Sequence, residues 1–152
     1  MSENFNVLVV DDDESIRKSM SILLKDEGYL VDTAGSGEEG IEKSKTKSYN
    51  LALIDFRLGD VEGTKLLETF SKSSPNMRKI MVTGFPTLSN AIEALNYGAD
   101  AFITKPFEPE ILIETVKKQL NGQEKERKYD EEKVADFIKA RAKELMTKET
   151  SE

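Results

Sequence analysis

The sequence contains no cysteine and no histidine among its 152 residues. Without cysteine, the chain can form neither a disulfide nor a thiolate metal site. Without histidine, it cannot supply a Ser-His-Asp triad, an imidazole metal ligand or a phosphohistidine. These absences exclude the enzymes and metal proteins whose chemistry depends on either residue type in the chain itself.

Long apolar runs and a general excess of positive charge are also missing. No apolar run approaches the roughly 18 residues that a membrane span needs, and residues 1–4 lack the basic region that opens a signal peptide. The formal net charge of −7 argues against nucleic-acid binding over the whole surface. No phosphate-cradling glycine loop is present, which argues against a P-loop nucleotide enzyme. We therefore expect a soluble cytoplasmic protein without a membrane segment.

Five apolar, strand-like segments alternate with five helix-like segments in the first 121 residues. The strands are predicted at residues 5–10, 29–34, 51–55, 78–83 and 101–104, and the helices at 13–27, 36–47, 63–72, 87–97 and 109–120. This alternation is typical of a parallel sheet with helices on both faces. The first domain is therefore predicted to be an α/β domain.

Asn121-Gly122 marks the predicted boundary between a domain of residues 1–121 and a charged helical tail of residues 122–152. One apolar stripe at helical spacing runs along the tail, formed by Val134, Phe137, Ile138, Arg141, Ala142 and Leu145. Such a stripe has to be buried on its own domain, on a second copy or on another protein. The sequence leaves open whether the tail docks back on the fifth helix or frays, or mediates a contact with a partner or a dimer.

Polar side chains follow four of the predicted strands at the point where each strand ends. Asp11 and Asp12 follow the first strand, Asp55 ends the third, Thr83 ends the fourth and Lys105 follows the fifth. Because the carboxyl ends of parallel strands meet at one edge of a sheet, these groups are expected to collect there. Taken singly, each has a simpler explanation as a helix cap or a surface residue, and Asp13 is assigned to capping the first helix.

Clustered carboxylates repel one another and call for a divalent cation, and their hard oxygen atoms suit Mg²⁺. A carboxylate beside such a cation can act as a nucleophile towards phosphorus and form an aspartyl phosphate. The lysine and the hydroxyl can contact the phosphoryl oxygen atoms. The four strand ends together therefore predict an acidic pocket that binds a phosphoryl group.

With these motifs, residues 4–121 resemble the receiver domain of two-component response regulators, the CheY-like and NtrC-type receivers. The resemblance rests on Val9-Val10-Asp11-Asp12, on Asp55 after an apolar strand, on Thr83-Gly84 and on Lys105-Pro106. It implies the flavodoxin-like fold, a doubly wound five-stranded parallel sheet in the order 2-1-3-4-5. It also implies a signalling phospho-acceptor rather than an enzyme, with a sensor histidine kinase or phosphotransfer protein as partner.

The resemblance assigns a role to each matching position. It implies that Asp55 is the phospho-acceptor, that Asp12, Asp55 and the backbone carbonyl of Arg57 bind Mg²⁺ directly, and that Asp11 acts mostly through water. Thr83 and Lys105 are the implied phosphoryl contacts. Thr83 and Phe102 are the implied switch residues, and Lys105-Pro106 is a candidate cis peptide bond. The sequence departs from the family at Leu58-Gly59, where Met-Pro is usual, and this change is expected to loosen the loop.

Phosphorylation is expected to draw Thr83 inward, move Phe102 and change the surface of helix 4, strand 5 and helix 5. That surface or the tail then controls a partner or a homodimer. The 152 residues contain no DNA-binding output domain, so the chain is either a stand-alone receiver or a fragment cut within a linker.

Two other functions are compatible with parts of the pattern. Residues 11–15 fit the Asp-x-Asp-x-(Thr/Ser) opening of haloacid-dehalogenase-like phosphatases, with Asp11 as the nucleophile and Asp13 as the general acid. That alternative gives Asp55 no role and leaves no room for a cap domain. The third candidate is a receiver-like interaction module that is never phosphorylated.

Overall fold

The computed structural model describes residues 4–150, and the side chains of residues 4–147. Its sheet consists of five parallel strands in the order β2-β1-β3-β4-β5. The strands are β1 (Asn6–Val10), β2 (Leu30–Ala34), β3 (Leu51–Asp55), β4 (Arg78–Thr83) and β5 (Ala101–Thr104). The predicted flavodoxin-like sheet, with its order 2-1-3-4-5, is therefore confirmed.

Five helices alternate with the strands: α1 (Glu14–Asp26), α2 (Gly37–Thr46), α3 (Gly63–Ser73), α4 (Leu88–Asn96) and α5 (Pro109–Thr150). Side-chain oxygen atoms of Asp13, Ser36 and Thr87 accept hydrogen bonds from backbone N–H groups in the first turns of α1, α2 and α4. Asp13 thus takes the predicted capping role, and Thr87 caps α4.

The central strands β1 and β3 are apolar without alternation because both faces of the sheet are covered there. On β1, Leu8 and Val10 pack on the face covered by α2, α3 and α4, where Phe70 is fully buried. Val7 and Val9 pack on the opposite face, which is covered by α1 and α5. The polar residues that follow each strand are therefore confined to the edges of the sheet.

The end of the fifth helix was predicted wrongly. The sequence predicts that this helix ends near Leu120, whereas α5 runs to Thr150 and passes through Asn121-Gly122. One glycine in a helix costs only about 1 kcal/mol relative to alanine. The residues that follow are strong helix formers and include charge pairs three residues apart, such as Arg127 with Glu124.

The structure divides into two units, Met1–Leu120 and Asn121–Glu152. In the second unit, the large apolar side chains of the predicted stripe are all more than half exposed: Val134, Phe137, Ile138 and Leu145. Among the residues that the structure describes, no helix combines the length and apolar character that crossing a membrane requires.

Candidate functional site

The carboxyl edge of the sheet brings the predicted strand-end residues to one side of the domain. Asp55 is the last residue of β3 and pairs in register with Val82, one residue before Thr83 at the end of β4. Asp11 and Lys105 each follow the last residue of a strand, β1 and β5. The positions of these groups therefore follow from where the apolar runs end.

Three carboxylates meet at this edge. Asp11, Asp12 and Asp55 each offer an oxygen atom that lies within 4.8 Å of the other two. Asp11 is fully buried and Asp55 is 8% exposed, whereas Asp12 faces solvent. The backbone N–H of Asp13 donates to Oδ1 of Asp11 at 2.9 Å, which fixes the turn that carries the first two acids.

Lys105 reaches two of the three carboxylates. Its Nζ atom lies 2.8 Å from Oδ2 of Asp11 and 3.2 Å from Oδ1 of Asp55. Burial acts to lower the pKa of this lysine, but the hydrogen bond and charge of Asp11, together with Asp55, outweigh it and raise the pKa. Lys105 is therefore held charged among the acids.

The pKa of Asp55 is raised above the ordinary range of aspartate. Burial is the largest cause and the negative charge of Asp11 is the second, while Lys105 and a backbone hydrogen bond from Arg57 act in the opposite direction. Because its ionised form is disfavoured, a further positive charge in the cluster would stabilise the carboxylate.

The donor set fits a small divalent cation. Three carboxylate oxygen atoms form a hard, anionic cluster, and no softer ligand such as sulfur or imidazole is among them. Arg57, whose backbone carbonyl was predicted as a further ligand, lies in the loop after β3 and forms an antiparallel bridge with Glu62. The structure therefore places the predicted ligands in one cluster and the neighbouring loop.

The remaining predicted residues lie around this cluster. Thr83 is buried, and its hydroxyl accepts a hydrogen bond from the N–H of Phe85 at 3.0 Å. Phe102 is half-buried and packs against the core on the side of α3 and α4. The peptide bond between Lys105 and Pro106 is cis.

Sequence reasoning missed the contacts of Arg17, the packing of Arg57 and the role of Asp60. Arg17 donates from Nη1 to the backbone carbonyl of Asp11 at 2.8 Å. The guanidinium of Arg57 lies 3.9 Å from the centre of the Phe85 ring, at the range of a cation–π contact. Asp60 accepts hydrogen bonds from the start of α2. Each contact joins residues that are far apart in the chain or on different elements, so no local sequence pattern indicates it.

Replacing Lys105 with methionine is expected to lower the free energy of unfolding by about 3 kcal/mol, because it leaves the buried carboxylate of Asp11 without its cation. Adding Asp11→Asn should recover part of that loss, since it removes a carboxylate that the lysine no longer balances. Urea denaturation in metal-free buffer measures both effects.

Lys117→Met is the matched control for this cycle. Its Nζ atom lies 2.9 Å from Glu27, but its side chain is 53% exposed. An exposed pair of this kind contributes little to stability, so Lys117→Met should destabilise the protein much less than Lys105→Met. Equal losses in the free energy of unfolding for Lys105→Met and Lys117→Met would contradict the assigned role of Lys105. So would a Lys105→Met/Asp11→Asn variant that is less stable than Lys105→Met alone.

Several known proteins are similar to this chain in sequence and in fold. Residues 7–117 match the family model of the response regulator receiver domain. The cell cycle response regulator CtrA of Brucella ovis is 35% identical over 107 residues, which are 70% of this chain and 46% of CtrA. The chain thus spans about half the length of this curated relative.

Solved structures agree with this match. A CheY-like response regulator receiver domain protein from Methanospirillum hungatei is 47% identical, with a TM-score of 0.79 over 82% of this chain and 99% of that one. The BeF3-activated receiver domain of DrrB is 28% identical, with a TM-score of 0.74 over 78% of this chain and 99% of that one. This chain belongs to the family of response regulator receiver domains of two-component systems.

Proposed function

We propose that the protein accepts a phosphoryl group on Asp55 from a phosphohistidine of a partner sensor histidine kinase or phosphotransfer protein. The observation that carries this proposal is the contact of one half-buried lysine, Lys105, with the carboxylates of Asp11 and Asp55. Asp55 is the proposed nucleophile because it ends the central strand β3, belongs to the acid cluster and lies 3.2 Å from Nζ of Lys105.

The transfer breaks one bond and forms one. An oxygen atom of the Asp55 carboxylate bonds to phosphorus, and the phosphorus–nitrogen bond of the donor breaks with its electron pair staying on the imidazole. The ammonium of Lys105 and the hydroxyl of Thr83 contact the phosphoryl oxygen atoms and stabilise their charge. The chain is a signalling phospho-acceptor, with self-phosphorylation from small phosphodonors and self-dephosphorylation as its only chemistry.

Mg²⁺ is the proposed cofactor, and it supplies the positive charge that balances the acids and the incoming phosphoryl group. Asp12, Asp55 and the backbone carbonyl of Arg57 hold it directly, and Asp11 acts mostly through water. The all-oxygen donor set of the cluster supports this choice of metal.

Residues 1–121 form the receiver in this proposal, and residues 122–152 form a helical tail or linker. The receiver works in the cytoplasm, where phosphodonor proteins can reach it.

Incubation with acetyl phosphate and Mg²⁺ is expected to add one phosphoryl group to the wild-type protein, because Asp55 is held beside Lys105 in the acid cluster. Asp55→Asn should abolish the gain, and removal of Mg²⁺ with a chelator should do the same. Asp11→Asn should slow the reaction without abolishing it. Intact-protein mass spectrometry measures all four.

The alternatives make different predictions in the same experiment. If only Asp11→Asn abolishes the gain, the phosphatase mechanism with Asp11 as nucleophile replaces the receiver mechanism. A wild-type protein that gains nothing would instead be a receiver-like interaction module.

Phosphorylation is proposed to act on the surface of α4, β5 and α5. Thr83 moves towards the phosphoryl group, and Phe102, now half-buried beside β4, moves into the space that Thr83 leaves. Three large apolar residues on α4 are at least half exposed, Leu88, Ile92 and Leu95, and support a contact surface there. The stripe on the tail is the second candidate for self-association.

Beryllofluoride with Mg²⁺ mimics the aspartyl phosphate, and the DrrB receiver domain is known in a BeF3-activated form. The mimic is expected to shift the ring resonances of Phe102 in NMR spectra and to raise the mass in sedimentation towards a dimer. Phe137→Glu should prevent the mass increase if the tail stripe is the interface, whereas the same substitution at Ala140 should not. An unchanged Phe102 ring and an unchanged mass would remove the switch proposal.

A further inference from the structure

The loop between β3 and α3, residues 56–62, is fastened to the start of α2 by one carboxylate. The backbone N–H groups of Gly37 and Glu38 donate to Oδ1 and Oδ2 of Asp60 at 3.0 and 2.9 Å. These are the first two residues of α2, whose N–H groups have no partner within the helix. Asp60 therefore satisfies two donors of a helix that lies more than 20 residues earlier in the chain.

The packing beside these hydrogen bonds is close. A Cβ atom on Gly37 would lie 2.2 Å from Cγ2 of Val61 and 3.5 Å from Cδ1 of Leu58. Leu58 is only 8% exposed. The loop and the start of α2 therefore approach one another as closely as a residue without a side chain allows.

At its other end, the loop is held against the strand that carries Asp55. A Cβ atom on Gly63 would lie 2.4 Å from the backbone carbonyl oxygen of Asp55 and 2.9 Å from Cα of Phe56. The backbone N–H of Gly63 donates to the carbonyl of Phe56 at 3.0 Å. The base of the loop is thus fixed by Gly63, and its far side is fixed by Asp60.

Arg57 and Gly59 lie in the part of the loop between Phe56, which Gly63 contacts, and Asp60. Gly59 restricts the backbone least of all residue types, and a Cβ atom there would lie 4.0 Å from Oδ2 of Asp12. The loop therefore passes beside an acid of the cluster at its most flexible residue. The loosening predicted from Leu58-Gly59 is opposed by the hydrogen bonds of Asp60.

We infer that Asp60 is a positioning residue for the metal site: through its hydrogen bonds to the start of α2, it holds the loop that carries the backbone carbonyl of Arg57 beside Asp12 and Asp55. This inference rests on the proposed function, in which that carbonyl binds Mg²⁺. Asp60 itself is neither a proposed metal ligand nor a proposed phosphoryl contact. Its charge faces the N-terminus of α2, where a negative charge is favourable.

Asp60→Ala is the variant that tests this role. Isothermal titration calorimetry should show Mg²⁺ binding weakened about tenfold, as for residues that orient metal ligands. In acetyl phosphate reactions, the half-saturating Mg²⁺ concentration should rise by a similar factor, while the rate at saturating Mg²⁺ stays close to wild type. Asp60→Asn keeps one acceptor oxygen, so its Mg²⁺ affinity should lie between those of the wild type and Asp60→Ala.

Ser36→Ala is the matched control because it removes a different cap from the same helix end. Its hydroxyl accepts from the N–H of Glu39 at 3.1 Å, and it leaves the loop contacts intact. Thermal unfolding should show comparable destabilisation of both variants, and amide exchange at Gly37 and Glu38 should accelerate more in Asp60→Ala. Only Asp60→Ala should lose Mg²⁺ affinity.

Two results would overturn the inference. Wild-type Mg²⁺ affinity in Asp60→Ala would show that the loop holds its position without the carboxylate. Equal losses of affinity in Ser36→Ala and Asp60→Ala would show that only the stability of α2 matters. In either case a wild-type protein that still gains a phosphoryl group leaves the proposed function intact. A wild-type protein that binds no Mg²⁺ would overturn both.

Discussion

The contact of Lys105 with Asp11 and Asp55 is the interaction on which the rest of the site depends. In the strand order β2-β1-β3-β4-β5, Lys105 follows β5 at the edge of the sheet, and β4 lies between it and the strand of Asp55. One side chain therefore joins the ends of three strands, across 94 residues of sequence in the case of Asp11. The parallel topology makes this reach feasible, because all these strand ends lie at one edge.

The charges of this cluster disfavour the ionised form of Asp55 and at the same time favour the binding of a cation. Burial and the negative charge of Asp11 raise the pKa of Asp55. The ionised form of this carboxyl group is therefore disfavoured, and Lys105 offsets this effect only in part. A divalent cation would offset this unfavourable negative charge, which supports the proposal that the cluster binds Mg²⁺. The continuous apolar core of β1 and β3 supports the fold around this costly edge.

Much of the fold and the cluster could be predicted because each strand is an apolar run that ends in a polar residue. That single feature places Asp11, Asp55, Thr83 and Lys105 at one edge without any knowledge of distances. It could not show which acids Lys105 contacts, since that depends on side-chain geometry. It could not show that Asp60 accepts hydrogen bonds from the start of α2, because no local sequence pattern indicates that contact. The helix through Gly122 was missed because neighbouring helix formers outweigh one glycine.

The most direct test of the account is to locate the phosphoryl group. After treatment with acetyl phosphate and Mg²⁺, borohydride reduces an aspartyl phosphate to homoserine, and tryptic peptides then show its position. The peptide of residues 48–57 contains Asp55 as its only acid, while Asp11 and Asp12 lie in the peptide that ends at Arg17. The account predicts homoserine at position 55 alone. Homoserine at position 11 or 12, with position 55 unchanged, would contradict it.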